Sequence, residues 1–233
     1  MGRGRRKPNW LLRLAAALTL IGIGVGAWFW WDLQHWTPDE AEYPDQGALV
    51  SAANGAVAFE TLKALGADFA YLAASDGAGD SDAAFARNFA AARRAGVDVG
   101  AVHRFDPCIL ADRQTANFVT IVPRTEAMLP PVIALDRTAE ECPNRVSDAA
   151  VESELTTLIN QIENHSGKPA ILKVDRAFEA AYGISARLDR NLWVTRTRFA
   201  PTYTRRPWLL WSANLHVQTQ AADTPLEWVV VQP

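Results

Sequence analysis

The sequence predicts an α/β protein: a TIM-like (β/α) barrel whose last strands lack full helices, preceded by an N-terminal transmembrane helix. Three observations point there. Short apolar runs alternate with helical stretches of ten to fifteen residues, the pattern of βαβ units and a parallel sheet. The last three apolar runs follow one another with little helix between them. An uncharged apolar run, Leu14 to Trp31, stands near the N-terminus behind a basic stretch, and it is about long enough to cross a bilayer.

The apolar N-terminal run comes first in the chain. Trp28, Trp30 and Trp31 sit where an interfacial aromatic belt would lie, and Arg13 can snorkel toward the basic end. A cleavable signal peptide is the rival reading, but no clear small-x-small site follows the run. Residues 1–31 are therefore read as a basic tail and uncleaved signal-anchor. The positive-inside rule then places the N-terminus in the cytoplasm and the rest outside. The expected location is the inner (cytoplasmic) membrane, single-pass, with an extracytoplasmic, periplasmic domain. Residues 32–45, polar with two prolines, read as a linker.

From residue 46 to 233 the elements follow in order. GALVS reads as a strand, then a turn at Asn54-Gly55 leads into a helix from Val57. DFAYLAA is an apolar run, and SDGAGDSD a loop. AAFARNFAAARRAG is a helix leading into the strand VDVGAVHRF. A helix over DRQTANFVTIV precedes LPPVIALD, and a long amphipathic helix begins near Val146. PAILKV is a strand and RAFEAAYG a short helix. NLWVTRT, PWLLWSA and EWVVV close the chain as strands. In barrels of this kind the working residues lie at the C-terminal ends of strands.

Charge and motifs exclude several functions. The net charge of −3 includes five cations (Arg3, Arg5, Arg6, Lys7 and Arg13) that precede the first acidic residue, so the remainder is more acidic still. Such a domain has no broad attraction for phosphate backbones, and no nucleic acid is expected as a partner. No cofactor is expected: there is no GxSxG elbow, phosphate-binding glycine loop or GxGxxG. His35, His103, His165 and His216 are far apart without HExxH or CxxC spacing, so no metal is expected. Asp76, Asp80 and Asp82 miss EF-hand spacing and read as a solvated acidic loop. Cys108 and Cys142, the only cysteines, would lie where a disulfide can form; two buried thiols are the alternative.

Several segments, in order, resemble glycoside hydrolase family 25, the lysozyme-like N-acetylmuramidases. YPDQGALVSAANG stands where that family has a GIDVSHHQG segment, and DFAYLAASDG is similar to FAYIKATEG. AGVDVGAVHRF resembles AGxxxGAYHF, LPPVIALD resembles LPPVLDLE, and GKPAILKV resembles GKPxIxYV. LWVTR and RPWLLWSA are similar to LWxA and PWxxWQY. Together they cover roughly residues 43 to 231. The resemblance implies an irregular α/β barrel, peptidoglycan as the polymer acted on, and hydrolysis of its MurNAc-GlcNAc bond. The loops carrying Cys108 and Cys142 would then be neighbours on the rim of the cleft.

Glycosidic hydrolysis ordinarily takes two carboxyl groups flanking the bond. The resemblance implies acids in the DVS strand and at both acidic positions of LDLE, and this chain departs at each. Leu49 stands at the DVS aspartate, Ala134 at the first acid of LDLE, and Asp136 at its glutamate. Side chains two apart share a strand face, so Ala134 would present a methyl group beside Asp136. Asp76, His103, Trp211 and Glu227 are the other candidate cleft residues. Asp76 replaces the glutamate of ATEG, and His103 keeps the family's histidine. Trp211 begins the WSA that stands for WQY, and Glu227 falls near an acid of the last strand.

Three functions follow. The first is a catalytically impaired domain, a pseudoenzyme that binds the peptidoglycan glycan strand or a cell-wall protein. The second is an active muramidase using Asp136 as general acid with a relocated carboxylate. The third is a protein-interaction scaffold of the cell envelope.

Overall fold

The computed structural model describes residues 10–233. Arg3, Arg5, Arg6 and Lys7, expected to flank an anchor, lie outside them. The chain divides into two compact units between Trp36 and Thr37.

The first unit holds helix α1, Trp10–His35, whose described residues include none that is buried. It is long and apolar enough to cross a membrane and continues past Trp31 to His35, whose ring stacks on Trp31 at 4.5 Å.

The second unit runs through β1 (Gln46–Val50), α2 (Phe59–Ala64), β2 (Phe69–Asp76), β3 (Asp80–Ser81), α3 (Phe85–Arg94), β4 (Asp98–Arg104), α4 (Ala111–Ile121) and β5 (Val132–Leu135). It continues through α5 (Asp148–Ser166), β6 (Ile171–Val174), α6 (Arg176–Tyr182), α7 (Ile184–Arg187), β7 (Asn191–Thr195), β8 (Leu210–Val217) and β9 (Leu226–Val231). The helix ends have local causes. The Ser147 hydroxyl accepts from Ala150 N at the start of α5, and Gly167 ends it in the left-handed conformation. Val151, Leu155, Leu158, Ile159 and Ile162 form the buried stripe of that helix.

Among the described residues the strands form one sheet, ordered β1-β9-β8-β7-β6-β5-β4-β2-β3, with β1 also pairing β2. That last pairing closes eight strands into a barrel and leaves β3 as a hairpin arm on β2. Neighbours from β1 through β2, β4, β5, β6 and β7 to β8 are parallel, whereas β9 runs antiparallel between β8 and β1. The three C-terminal strands without intervening helices are thus where the barrel departs from a parallel repeat.

Inward-pointing positions fill the barrel with Phe69, Tyr71, Val102, Val132, Ala134, Ile171, Trp193, Leu210 and Val229. The Tyr71 ring lies across Gly100, where a Cβ would stand 2.1 Å from its edge. Only a residue without a side chain allows that approach. Tyr71 in turn contacts Trp193, with ring centroids 5.1 Å apart. These two rings plug the middle of the barrel and set the depth of the cleft above them.

Candidate active site

A cleft of about 490 Å³ opens at the C-terminal end of the parallel strands, and its lining includes Leu49, Asp76, Arg104, Ala134, Asp136, Lys173 and Glu227. Alternation puts them there. Leu49 follows Gly47 on the inner face of β1, Ala134 follows Val132 in β5, and Lys173 follows Ile171 in β6. Glu227 reaches the same mouth because β9 is antiparallel, so its beginning meets the others' ends; it pairs in register with Leu49.

Every candidate acid that reaches the cleft is matched to a cation. Arg104 Nε donates to both oxygens of Asp136, at 2.8 and 2.9 Å. Arg137 grips Asp76 through two parallel bonds of 2.6 and 2.7 Å, and Arg104 approaches Asp76 at 3.5 Å. Deeper in, Lys173 Nζ donates to Glu227 at 2.5 Å while lying 4.8 Å above the Trp193 ring. The Trp193 indole donates to Ser212 Oγ at 2.6 Å, and that hydroxyl donates to the same Glu227 oxygen. Lys173 and Glu227 are mostly shielded from water, with side-chain exposures of 16% and 17%. Neighbouring acids raise the already high affinity of the Arg104 guanidinium for its proton, the hydrogen bond it donates to Asp136 most of all.

The hairpin through β3 walls one side. Asn117 Nδ2 donates to the carbonyls of Gly77 (3.0 Å) and Asp80 (2.9 Å), fixing it over the end of β2. Asp82 accepts from Ala52 N and Ala84 N, so its carboxylate organises the loop after β1. On another side a Cys108–Cys142 disulfide joins the loop that follows Arg104, the last residue of β4, to the loop after β5 that carries Asp136. Among the described residues no group of three or more His, Cys, Asp or Glu is arranged to hold a metal ion.

Two candidates stand elsewhere. His103 is fully buried behind the cleft wall. Its Nδ1 accepts from Ser75 Oγ at 2.8 Å and its Nε2 donates to Gln114 Oε1 at 3.3 Å; the bonds Gln114 makes to Asp106 and Ile109 orient its amide. Burial pushes the imidazole down to about 4 against the opposing pull of Gln114 and Asp76. It is a neutral core histidine. Trp211 points outward, because Leu210 and Ser212 take the inner face of β8. Its ring packs on Tyr43 and Trp208, and its indole donates to Arg196 O at 2.7 Å. Neither residue lines the cleft. Arg137 and Lys173 were not singled out in the sequence. A lysine two residues after an inward isoleucine was the one signal available for the second of them.

A family model described as glycosyl hydrolases family 25 matches residues 50–220. The chain belongs to glycosyl hydrolase family 25. Solved structures agree on the fold. A family 25 glycosyl hydrolase from Bacillus anthracis is 24% identical over 86% of this chain and 93% of its own, with a TM-score of 0.76. A bacterial lysozyme from Streptomyces coelicolor is 18% identical, covering 81% of this chain and 92% of its own at a TM-score of 0.70. The spore cortex lytic enzyme SleM of Clostridium perfringens is also 18% identical, over 84% and 69%, at 0.67. No curated protein matches. A family 25 fold suits a glycosidase acting on peptidoglycan.

Proposed function

We propose that this family 25 domain is held at the outer face of the cytoplasmic membrane by α1 and binds peptidoglycan glycan strands in its cleft without hydrolysing them. The observation that carries the reading is the presence of hydrocarbon, Leu49 and Ala134, in the cleft lining at positions where the family pattern has acids. Glycosidic cleavage needs one carboxyl to deliver a proton and another to stabilise or trap the developing cation. Of the acids that remain in the lining, Asp136 pairs with Arg104, Asp76 with Arg137 and Glu227 with Lys173, Asp82 accepts from two backbone amides, and Asp80 stands on the β3 arm. Carboxylate oxygens already bonded to a cation are not turned toward a glycosidic oxygen in the groove. The same charged groups offer many donors to sugar hydroxyls.

One observation favours a second reading, in which the domain is an active muramidase. Asp76 and Asp136 both approach Arg104, so two carboxylates do lie near each other, and Asp136 would serve as acid. The full-length chain in detergent, incubated with purified insoluble peptidoglycan, separates the readings. Co-sedimentation with no release of reducing ends is expected. Release of reducing ends that disappears in Asp136→Asn establishes the muramidase instead. Absence of both binding and release, with capture of an envelope protein, leaves the scaffold.

A further inference from the structure

Beside the cleft, on the same end of the barrel, a second cavity of about 420 Å³ lies over β6 and β7, lined by Arg176, Thr195, Arg196, Pro201, Thr202 and Tyr203. Its walls are tied down. The Tyr203 hydroxyl donates to Val174 O at 2.7 Å and accepts from Thr195 N at 2.9 Å, which pins the loop between β7 and β8 to two strand ends. At the far end of that loop Arg206 donates to the carbonyls of Ser185, Leu188 and Arg190 and pairs with Asp189 at 2.5 Å. Arg196 is set over the Phe199 ring at 5.4 Å.

The electrostatics are opposite to those of the cleft. Each cleft cation faces a carboxylate, but among the described residues no carboxylate lines this cavity, and neither Arg176 nor Arg196 is in an ion pair. The nearest acids in sequence, whose charges reach the Tyr203 hydroxyl, do not line the cavity and are bonded elsewhere. Asp175 accepts from Ala177 N at 2.8 Å, and Glu179 is buried against Ser185, whose N and Oγ both donate to it. Two guanidinium groups and the hydroxyls of Thr195 and Thr202 make the cavity rich in donors, and its natural complement is an oxyanion. In a chain of net charge −3 such a spot is a local exception that focuses anions where the rest of the surface repels them.

We infer that this annex binds a free carboxylate of the peptide branches on the glycan strand, an inference that rests on the proposed function. A glycan lying in the cleft is flanked by β6 and β7, where Lys173 lines the cleft and Arg176 the annex only three residues later. Peptide branches leave a glycan sideways and end in carboxylates, so the annex is in place to read them. The domain would then recognise peptide-bearing glycan in preference to bare glycan.

The test compares solubilised peptidoglycan strands carrying their peptides with the same strands after amidase has removed them, each binding the full-length chain in detergent. Wild type is expected to bind the peptide-bearing strands about tenfold more tightly. Arg176→Gln/Arg196→Gln should bind both at the weaker level, with affinity for bare strands unchanged. Arg176→Lys/Arg196→Lys should keep part of the preference. Should the glutamine variant melt early, rising salt on wild type reads the same interaction, because it must erode the preference selectively. Equal binding of the two strands by wild type, or a preference that survives both the glutamine variant and high salt, overturns the annex and leaves the glycan-binding reading standing. Binding to neither strand overturns both.

Discussion

Replacing Lys173 by methionine isolates the deepest ion pair of the cleft. Methionine keeps most of the stem but leaves Glu227 with only the Ser212 hydroxyl as a donor. Removing one partner of a buried pair costs about 3–5 kcal/mol. The exposures of 16% and 17% argue for the lower part of that range. The lysine's position 4.8 Å above the Trp193 ring adds roughly 0.5–1 kcal/mol. A loss of about 4 kcal/mol is expected, or roughly 8–16 °C in Tm for a domain of this size. In Lys173→Met/Glu227→Gln no charge is stranded and Ser212 can still donate to the amide oxygen, so stability should return to within about 1 kcal/mol of wild type. Urea unfolding of residues 37–233, followed by tryptophan fluorescence and circular dichroism, gives all three values. If the single variant is as stable as wild type and the double variant adds nothing, Lys173 does not hold Glu227. Glu227 would then be an available carboxylate, and the argument that the cleft's acids are engaged would fail with it.

Two further outcomes follow from the same geometry. Cys108→Ser/Cys142→Ser releases a closure spanning 34 residues and should cost about 4 kcal/mol by the loop-entropy relation, read as a shift in urea midpoint that reductant reproduces on wild type. His103 titrates near 4 when folded against 6.5 unfolded. The unfolded chain therefore takes up a proton below about pH 6.5 that the fold refuses until about pH 4. Stability from this group falls across that window by about 3 kcal/mol and levels off below it. His103→Gln should flatten that part of a stability-against-pH curve; an unchanged slope would show that the buried imidazole is not its source.

Much of the fold was legible because barrel strands announce themselves. The runs at Phe69–Ala74 and Val132–Leu135 are too apolar for a half-exposed sheet, and the missing helices after Asn191 mark the closing strands. The family resemblance pointed Leu49 and Ala134 toward the cleft, and period-two alternation tied Ala134 to the face of Asp136. What could not be read depends on contacts distant in sequence or on small changes of direction. Lys173 and Glu227 meet across 54 residues, so nothing local to either signals the pair. The Gly-Asp-Ser segment after Ser75 reads as a solvated loop, yet it folds into a hairpin because Asn117 of α4 satisfies its carbonyls. Trp211 illustrates the limit of motif reading. Its place in a sugar-contacting motif suggested the cleft, but strand parity turns it to the outer face. His103 was drawn out of the cleft by hydrogen-bond partners, Ser75 and Gln114, that lie 28 and 11 residues away.

The reversed final strand has a practical corollary for attaching things to this domain. Because β9 descends while its neighbours rise, the chain leaves the barrel at the floor, where Val231 N bonds to Asp45 O beside the point of entry into β1. The entry into β1 and the exit from β9 thereby lie together at the pole away from the mouth. A reporter or immobilising tag joined at Pro233 would leave the opening free, so surface-captured protein should present its groove outward to a polymer too large to diffuse around an obstruction.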